Sequence, residues 1–350
     1  MRDASEAIRE AIETARREGQ PLHIRGGDSK AFLLPEAGET RLDVSGHRGI
    51  LHYEPTELVV TARAGTTLAE LEQALAAEGQ MLPFEPPRFS EAATLGGTVA
   101  CNLSGPRRPH AGAVRDFVLG CRIINGRGEP LRFGGEVMKN VAGYDVSRLM
   151  CGAFGTLGVL LEVSLKVLPR PAAEITLVQE RDAADAIRLM NLWAGRPLPL
   201  SAACHDGEHL FVRLSGSERG VSQASRQLGG EPLPDAHADF WERLRDQRHP
   251  FFDHPGALWR LSVPPATPPL DLPGPQLIDW SGAQRWIHCP LPAHQVRAVA
   301  RAAGGHASQW RGPCAGRRLQ EPAAALLTVH RRLKAAFDPD GLFNPGYLFD

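Results

Sequence analysis

Helical and strand-like patterns of apolar residues alternate along the first half of the chain. Apolar side chains three and four positions apart over residues 4–15, among them Ile8 and Ile12, predict an amphipathic surface helix. Short apolar runs typical of strands follow at residues 22–25, 42–44, 58–63, 117–124, 130–133 and 159–167. Between them, Thr67 begins a helix as its N-cap, with Glu70 as the capping-box partner. The first half is therefore predicted to mix helices with strands.

Two prolines, Pro169 and Pro171, mark a boundary in this pattern, because proline continues neither a helix nor an interior strand. Beyond them, the apolar pattern predicts strands at 175–179, near 202 and at 210–214, and helices over 183–193 and 219–228. These elements indicate a small antiparallel sheet backed by helices, followed by a proline-rich loop at 263–275. At 350 residues, the chain is long enough for two domains.

Composition excludes some classes of partner and location. A formal net charge of -1 gives no long-range attraction to nucleic acid. The first helix carries both signs of charge, unlike a signal peptide, and the most apolar later stretch, 157–168, is interrupted by Glu162 and Lys166. That stretch is also too short for a transmembrane helix. We expect a cytoplasmic protein that contacts the inner membrane, if at all, through its partners.

Cysteine and lysine usage add two expectations. The six cysteines include no C-x-x-C pair, so an iron-sulfur cluster would have to belong to a partner. The chain has 35 arginines but only four lysines, namely Lys30, Lys139, Lys166 and Lys334. Genomic base composition and coincidence are two explanations of this bias that involve no structural role. A chain so poor in lysine is expected to keep one where the planar fork of arginine does not fit.

Two glycine-rich stretches, residues 25–30 and 94–97, each follow a strand-like run. Glycine lets several backbone N–H groups converge on a pyrophosphate, because it has no Cβ and adopts positive φ freely. The two stretches together could hold one dinucleotide from both sides. A Rossmann site is disfavoured, because Gly152, Gly155 and Gly158 form G-x-x-G-x-x-G and not G-x-G-x-x-G.

The order of these motifs resembles a family of flavoproteins. R-G-G, A-T-L-G-G, N-x-S-G-P-R-R, G-x-V-R-D-F-V-L-G, K-N-V-A-G-Y-D and G-T-L-G-V follow one another as in the FAD-binding fold of the vanillyl-alcohol oxidase superfamily. More narrowly, the chain resembles the GlcE family of glycolate oxidase FAD-binding subunits in R-G-G-x-S-K-A-F, H-R-G-I-x-x-Y-x-P-T-E-L-V, G-E-V-M-K-N-V-A-G-Y-D and the closing F-N-P-G. The resemblance covers about residues 21–171 and returns in the tail.

The resemblance implies an α+β fold with three parts. A PCMH-type FAD-binding domain of two subdomains would occupy residues 1–171, and a smaller cap-like α+β domain residues 172–320. The C-terminal helix and tail, 321–350, would pack on the FAD domain.

The resemblance also implies a set of residues around the cofactor. The first pyrophosphate loop would consist of Arg25, Gly26, Gly27, Asp28, Ser29 and Lys30, and the second of Thr94, Leu95, Gly96 and Gly97. Beside the cofactor would lie Asn102, Gly105, Gly112 and Ala113, with Gly155, Gly158 and Val159 lining the flavin or adenine pocket. Asn344 would bring the tail toward the isoalloxazine ring.

The implied activity is that of an FAD-dependent oxidoreductase subunit in a complex that oxidises glycolate or another small 2-hydroxy acid. A sibling FAD-containing subunit and an iron-sulfur subunit would be its partners. Relatives with covalent FAD carry a histidine in the first loop, where this chain has Asp28, so we expect the FAD to be non-covalent. An acidic side chain beside a pyrophosphate would have to turn away, as in an Asx turn.

Catalytic residues are not assigned. Related flavoproteins that oxidise 2-hydroxy acids carry H-x-G-D-G-N-x-H and E-H-G elements in their second lobe, and this chain has neither. Unassigned candidates for a base remain at His205, His209, His237, His249, His254, His288, His294 and His306, and no metal ligand is predicted. Two alternatives stay open: a non-catalytic scaffold that keeps the flavin fold, and a stand-alone FAD-dependent reductase of another class.

Overall fold

A computed structural model describes residues 3–33, 40–135, 145–314 and 316–348 of the chain. The K-N-V-A-G-Y-D motif lies outside the described residues, apart from its final Asp145. Within the described ranges the helices are α1 Ser5–Glu18, α2 Leu68–Ala77, α3 Leu95–Cys101, α4 Arg108–Ala111, α5 Val114–Phe117, α6 Val146–Leu149, α7 Ala183–Ala194, α8 Glu218–Leu228, α9 Phe240–Arg245, α10 Ala293–Ala302 and α11 Ala324–Phe337.

The strands of the described ranges, in chain order, are β1 His23–Arg25, β2 Arg41–Asp43, β3 Ile50–Glu54, β4 Val59–Arg63, β5 Gln80–Met81, β6 Val118–Ile124, β7 Pro130–Gly134, β8 Val159–Lys166, β9 Leu168–Pro169, β10 Ala173–Glu180, β11 Leu200–His205, β12 His209–Gly216, β13 Glu231–Pro232, β14 Leu258–Ser262, β15 Gln276–Asp279, β16 Gln284–His288 and β17 His306–Arg311.

The chain divides into two compact units. The first unit combines Met1–Ser104, Gly112–Pro169 and Glu321–Asp350, and the second combines Gly105–Ala111 with Arg170–Gln320. The second unit thus includes a short segment, Gly105–Ala111, from within the range that the sequence assigned to the FAD-binding domain. Its hydrogen bonding accounts for this: Trp280 donates from Nε1 to the Gly105 carbonyl oxygen at 3.0 Å.

The first unit is built on a five-stranded antiparallel sheet with the strand order β3-β4-β8-β6-β7. A separate parallel pair joins β1 to β2. The apolar face of α1 packs with β8 and with the tail in one core cluster, to which Ile12, Val159 and Phe343 contribute fully buried side chains. Burial of this face stabilises α1, and Gly19 ends the helix with a left-handed φ of 65°.

Capping side chains explain where two helices of the first unit begin. The Thr67 hydroxyl accepts the Glu70 N–H at 3.1 Å, which is the predicted N-cap of α2. Thr94 caps α3 in the same way by accepting the Gly97 N–H at 3.2 Å. The second glycine-rich stretch is therefore the first turn of a helix and not the open loop that we predicted, because the Thr94 cap outweighs the low helix propensity of two glycines.

The second unit contains an eight-stranded antiparallel sheet in the order β13-β10-β12-β11-β15-β16-β14-β17. This sheet is larger than the one predicted, because its strands continue beyond residue 214, and β15 and β16 lack the alternating pattern of a strand with one exposed face. All five residues of Gln284–His288, for example, are buried. Two apolar clusters support the sheet, one around Met190 on α7 and one around Val296 on α10.

Candidate functional site

A cleft that is partly open to solvent lies in the first unit, beside the carboxyl end of β1. Twelve of the residues predicted to surround a cofactor line it: Arg25, Gly26, Gly27, Asp28, Ser29, Lys30, Thr94, Gly96, Gly97, Gly155, Gly158 and Asn344. These residues come from four distant parts of the sequence. The fold therefore brings both glycine-rich stretches, the G-T-L-G turn and the tail to one cavity.

The two glycine-rich stretches are in direct contact at the cleft. A Cβ added at Gly27 would lie 1.5 Å from the Ala92 carbonyl oxygen, and one added at Gly26 would lie 2.6 Å from Thr94 Oγ1. Neither position has room for a side chain. Glycine is required here because the backbone of residues 26–27 packs against the segment that leads into α3.

The loop after β1 presents free hydrogen-bond donors. Within the part of the chain that the structure describes, the backbone N–H groups of Gly26, Gly27, Asp28 and Ser29 donate to no protein acceptor. Buried Arg25 also has an Nε atom without a hydrogen-bond partner among the described residues. Donors that line a cleft and have no protein acceptor are available to a ligand that accepts hydrogen bonds.

Three charged side chains lie beside these donors: two are cationic and one is a carboxylate. Arg25 and buried Lys30 both line the cleft, and Lys30 Nζ lies 3.3 Å from Ser29 Oγ. Asp28 has a left-handed φ of 51°, and its Oδ1 atom lies 3.7 Å from Arg25 Nη1. The Asp28 side chain is about half exposed, so it pairs with arginine at the rim instead of forming the Asx turn considered from the sequence.

The first turn of α3 offers the cleft no free backbone N–H donors. The Leu95 N–H donates to Thr66 O, the Gly96 N–H to Ala64 O and the Gly97 N–H to Thr94 Oγ1. These amides already have protein acceptors, so the donor role predicted for this stretch does not match the hydrogen bonding observed. Gly96 and Gly97 both line the cleft, and a Cβ added at Gly96 would lie 2.8 Å from Ala64 Cβ, so glycine lets α3 pack closely against β4 beside the cleft.

Asn344 closes the cleft from the tail. Its Oδ1 accepts the Ile24 N–H at 2.7 Å, and its Nδ2 donates to the Phe154 carbonyl oxygen at 2.6 Å. Its backbone N–H donates to Leu22 O at 2.9 Å. The amide side chain therefore joins β1 to the turn before Gly155, and both of these segments line the cleft.

Six predicted residues do not line the cleft. Leu95 and Val159 are buried in the core, and Asn102 is the left-handed C-cap of α3, with a buried Oδ1 atom that has no partner among the described residues. Gly112 and Ala113 lead into α5, while Gly105 belongs to the second unit.

Other lining residues were missed because they are small or apolar and carry no motif: Ile24, Ala31, Val44, Ala64, Ala100, Cys101, Phe154 and Leu160. The thiol of Cys101 is the reactive group among them. Burial raises the pKa of Cys101 to about 11, although the nearby Lys30 ammonium opposes that shift. The thiol is therefore protonated near neutral pH and is a poor nucleophile.

The histidines of the second unit form no obvious catalytic or metal centre. Among the described residues, no group of three or more His, Cys, Asp or Glu side chains is arranged to hold a metal ion. His205 and His288 each place Nε2 within hydrogen-bond distance of a backbone carbonyl, at 2.8 and 2.9 Å. The sequence did not single out His110, whose Nε2 atom lies 3.2 Å from Ser281 Oγ. Burial and the nearby Arg213 and Arg107 lower the pKa of His110.

The cleft suits the pyrophosphate of a dinucleotide, because unpaired backbone donors and two cations converge on one extended cavity. A family model described as an FAD binding domain matches residues 3–134. The fold agrees: alkyldihydroxyacetonephosphate synthase superposes with a TM-score of 0.70 at 17% identity, over 97% of this chain and 74% of that chain. The chain is thus an FAD-binding oxidoreductase with the predicted PCMH-type α+β fold.

Comparison with curated proteins narrows this class. The chain is 51% identical to the glycolate oxidase subunit GlcE of Escherichia coli K12 over 348 residues, which is 99% of this chain and 98% of that protein. It is 33% identical to the glycolate oxidase subunit GlcD of Bacillus subtilis 168 over 181 residues, covering 51% of this chain and 38% of that one. The chain belongs to the GlcE family, as its motifs predicted. No helix in the described ranges is both long and apolar enough to cross a membrane.

Proposed function

We propose that this chain is the FAD-bearing subunit of a complex that oxidises glycolate, or a closely similar 2-hydroxy acid, to the 2-oxo acid. The observation that carries the proposal is the cleft with unpaired backbone donors, in a chain that matches a glycolate oxidase subunit over 99% of its length. Oxidation of glycolate to glyoxylate removes two electrons and two protons. Bound FAD accepts two electrons and releases them singly to one-electron carriers.

We propose that the twelve cleft residues hold the FAD without a covalent bond. The Gly26 to Ser29 amides, with Arg25 and Lys30, would bind the pyrophosphate, and the α3 glycines would pack against it. Covalent attachment requires a nucleophile. The first loop has no histidine, and the Cys101 thiol is protonated at neutral pH, which supports a removable cofactor.

The proposed partners are a sibling flavoprotein and an iron-sulfur subunit. Similarity to a GlcD protein over half of the chain supports a complex in which two related FAD-binding chains work together. All six cysteines are free, and four of them are buried, which supports placing any cluster in another subunit. We place the complex in the cytoplasm, with contact to the inner membrane made by partners.

The proposal is tested by the absorption spectrum of the purified chain before and after acid precipitation. Flavin bands that move to the supernatant are the expected result for non-covalent FAD, and a colourless protein would contradict the proposal. Glycolate is then added without oxygen to the chain alone and to the chain with its GlcD-like sibling. Bleaching of the flavin in the reconstituted complex is expected, and a flavin that stays oxidised under both conditions would refute the role in glycolate oxidation.

A second candidate, a relay or scaffold subunit without its own substrate chemistry, is favoured by the histidines described above. His205 and His288 already bond to backbone carbonyls and are poorly placed to take a hydroxyl proton. Reduction by glycolate only in the presence of the sibling would identify a relay. Assembly of an active complex after FAD is removed from this chain alone would identify a scaffold.

A further inference from the structure

We infer that Lys334 and Asp338 form a latch that positions the C-terminal tail against the walls of the FAD cleft, and that this latch sets how tightly FAD is held. Lys334, Asp338 and the tail residue Asn344 that they position all lie in the first unit. The inference rests on FAD as the cofactor but not on the identity of the substrate.

Lys334 has an acceptor for each of its three ammonium protons. Its Nζ lies 2.9 Å from Thr156 O, 2.7 Å from Asp338 Oδ2 and 2.7 Å from Phe343 O. Thr156 follows Gly155, which lines the cleft, and Phe343 precedes Asn344, which also lines it. One ammonium group therefore ties α11 to the turn that contains Gly155 and to the tail next to Asn344.

Asp338 holds the other end of the latch. Its Oδ1 accepts the Leu342 N–H at 3.0 Å, and its Oδ2 accepts the Phe343 N–H at 2.8 Å in addition to the Lys334 contact. The side chain is fully buried, and a Cβ added at Gly126 would lie 2.3 Å from Asp338 Oδ1. This carboxylate fixes the turn that carries the chain from α11 to Asn344.

The latch reaches the cleft through the tail and through Thr156, because neither Lys334 nor Asp338 lines the cavity itself. Asn344 then bonds to Ile24 on one side of the cleft and to Phe154 on the other. Three acceptors around one nitrogen suit an ammonium and not the planar fork of a guanidinium. In a chain with 35 arginines, this accounts for a lysine on a helix that also carries Arg331 and Arg332. Lys334 and Asp338 are therefore positioning residues.

The test compares Lys334→Met with Arg331→Met, a matched loss of one cation on the exposed side of the same helix. FAD is removed from each full-length protein, and its rebinding is measured by flavin fluorescence. Because the tail then loses three hydrogen bonds that position it, Lys334→Met is expected to raise the Kd for FAD about tenfold, and Arg331→Met to leave it unchanged. Lys334→Arg is expected to restore only part of the affinity.

Hydrogen exchange separates positioning from simple stability. In Lys334→Met, the amides of Ile24, Leu342 and Phe343 are expected to exchange faster, while the strands of the second unit keep their protection. Fast exchange at these amides combined with an unchanged Kd would overturn the inference, because the tail would then be loose without consequence for FAD. If Lys334→Met does not fold, Asp338→Asn, which keeps the side-chain shape, is measured in the same two ways.

Discussion

Because Gly27 lies against the backbone of Ala92, we expect Gly27→Ala to prevent FAD from binding in the cleft. The new Cβ would stand 1.5 Å from the Ala92 carbonyl oxygen, whereas Cβ atoms essentially never come closer than 3.0 Å to such a neighbour. The two backbones must therefore separate by about 1.5 Å, the difference between these distances. Backbone is on both sides of the contact, so no rotamer change relieves it.

A separation of this size would remove hydrogen bonds that we propose between the first loop and the pyrophosphate. Each bond from an N–H to a charged acceptor contributes roughly 1.5–3 kcal/mol. Loss of two of the four donors at Gly26 to Ser29 costs about 3–6 kcal/mol, which raises the Kd for FAD at least about 100-fold. The crowding itself is expected to destabilise the protein without FAD by about 1–3 kcal/mol.

The assay is the ratio of flavin to protein absorbance after purification, followed by fluorescence titration of the flavin-free protein. Gly195→Ala is the control, because its φ is -83° and an added Cβ would meet only ordinary contacts at 3.7 Å or more. We expect Gly27→Ala to purify without flavin and the control to retain it. A Gly27→Ala protein that binds FAD as tightly as the wild type would refute the proposed position of the pyrophosphate.

Three further predictions follow from single side chains. Arg25→Met should weaken FAD binding about tenfold and make it less sensitive to salt, as measured by titration at two ionic strengths, because a buried cation beside the phosphates is lost. Asp338→Ala should destabilise the first unit by about 3–5 kcal/mol, seen in urea unfolding, because it leaves the Lys334 ammonium without its counter-charge. Burial lowers the pKa of His47, whose Nδ1 accepts the Ala4 N–H at 3.0 Å, so stability should fall as the pH drops below about 6.5, where the unfolded chain binds the proton more readily. His47→Asn should lose less stability between pH 7 and about pH 5 in thermal melts, and equal losses in the two proteins would contradict this assignment.

Local signals in the sequence predicted much of the first unit. Thr67 and Glu70 located the start of α2, and the apolar run at 159–167 located β8, because both features depend on neighbours within a few residues. The same local reasoning misjudged Thr94. Two glycines suggest a loop, whereas the contact of this segment with Ala64 and Thr66 favours a helix start.

The contacts that complete the cleft join residues far apart in the sequence. The side chain of Asn344 contacts Ile24, 320 residues away, and the ammonium of Lys334 contacts Thr156, 178 residues away. No periodicity or capping motif encodes such pairs. In the second unit, β16 escaped prediction because all its residues are buried, so the alternation that reveals a half-exposed strand is missing.

The discontinuity of the first unit has a consequence for biosynthesis. Leu22 pairs with Phe343 in a parallel bridge, and the cleft needs Asn344, so a growing polypeptide that has emerged only as far as residue 320 cannot close its cofactor site. Residues 170–320 of the second unit emerge before that point and are free to fold first. We therefore expect FAD to bind only after the ribosome has translated Asn344, so that flavin loading follows synthesis of the tail.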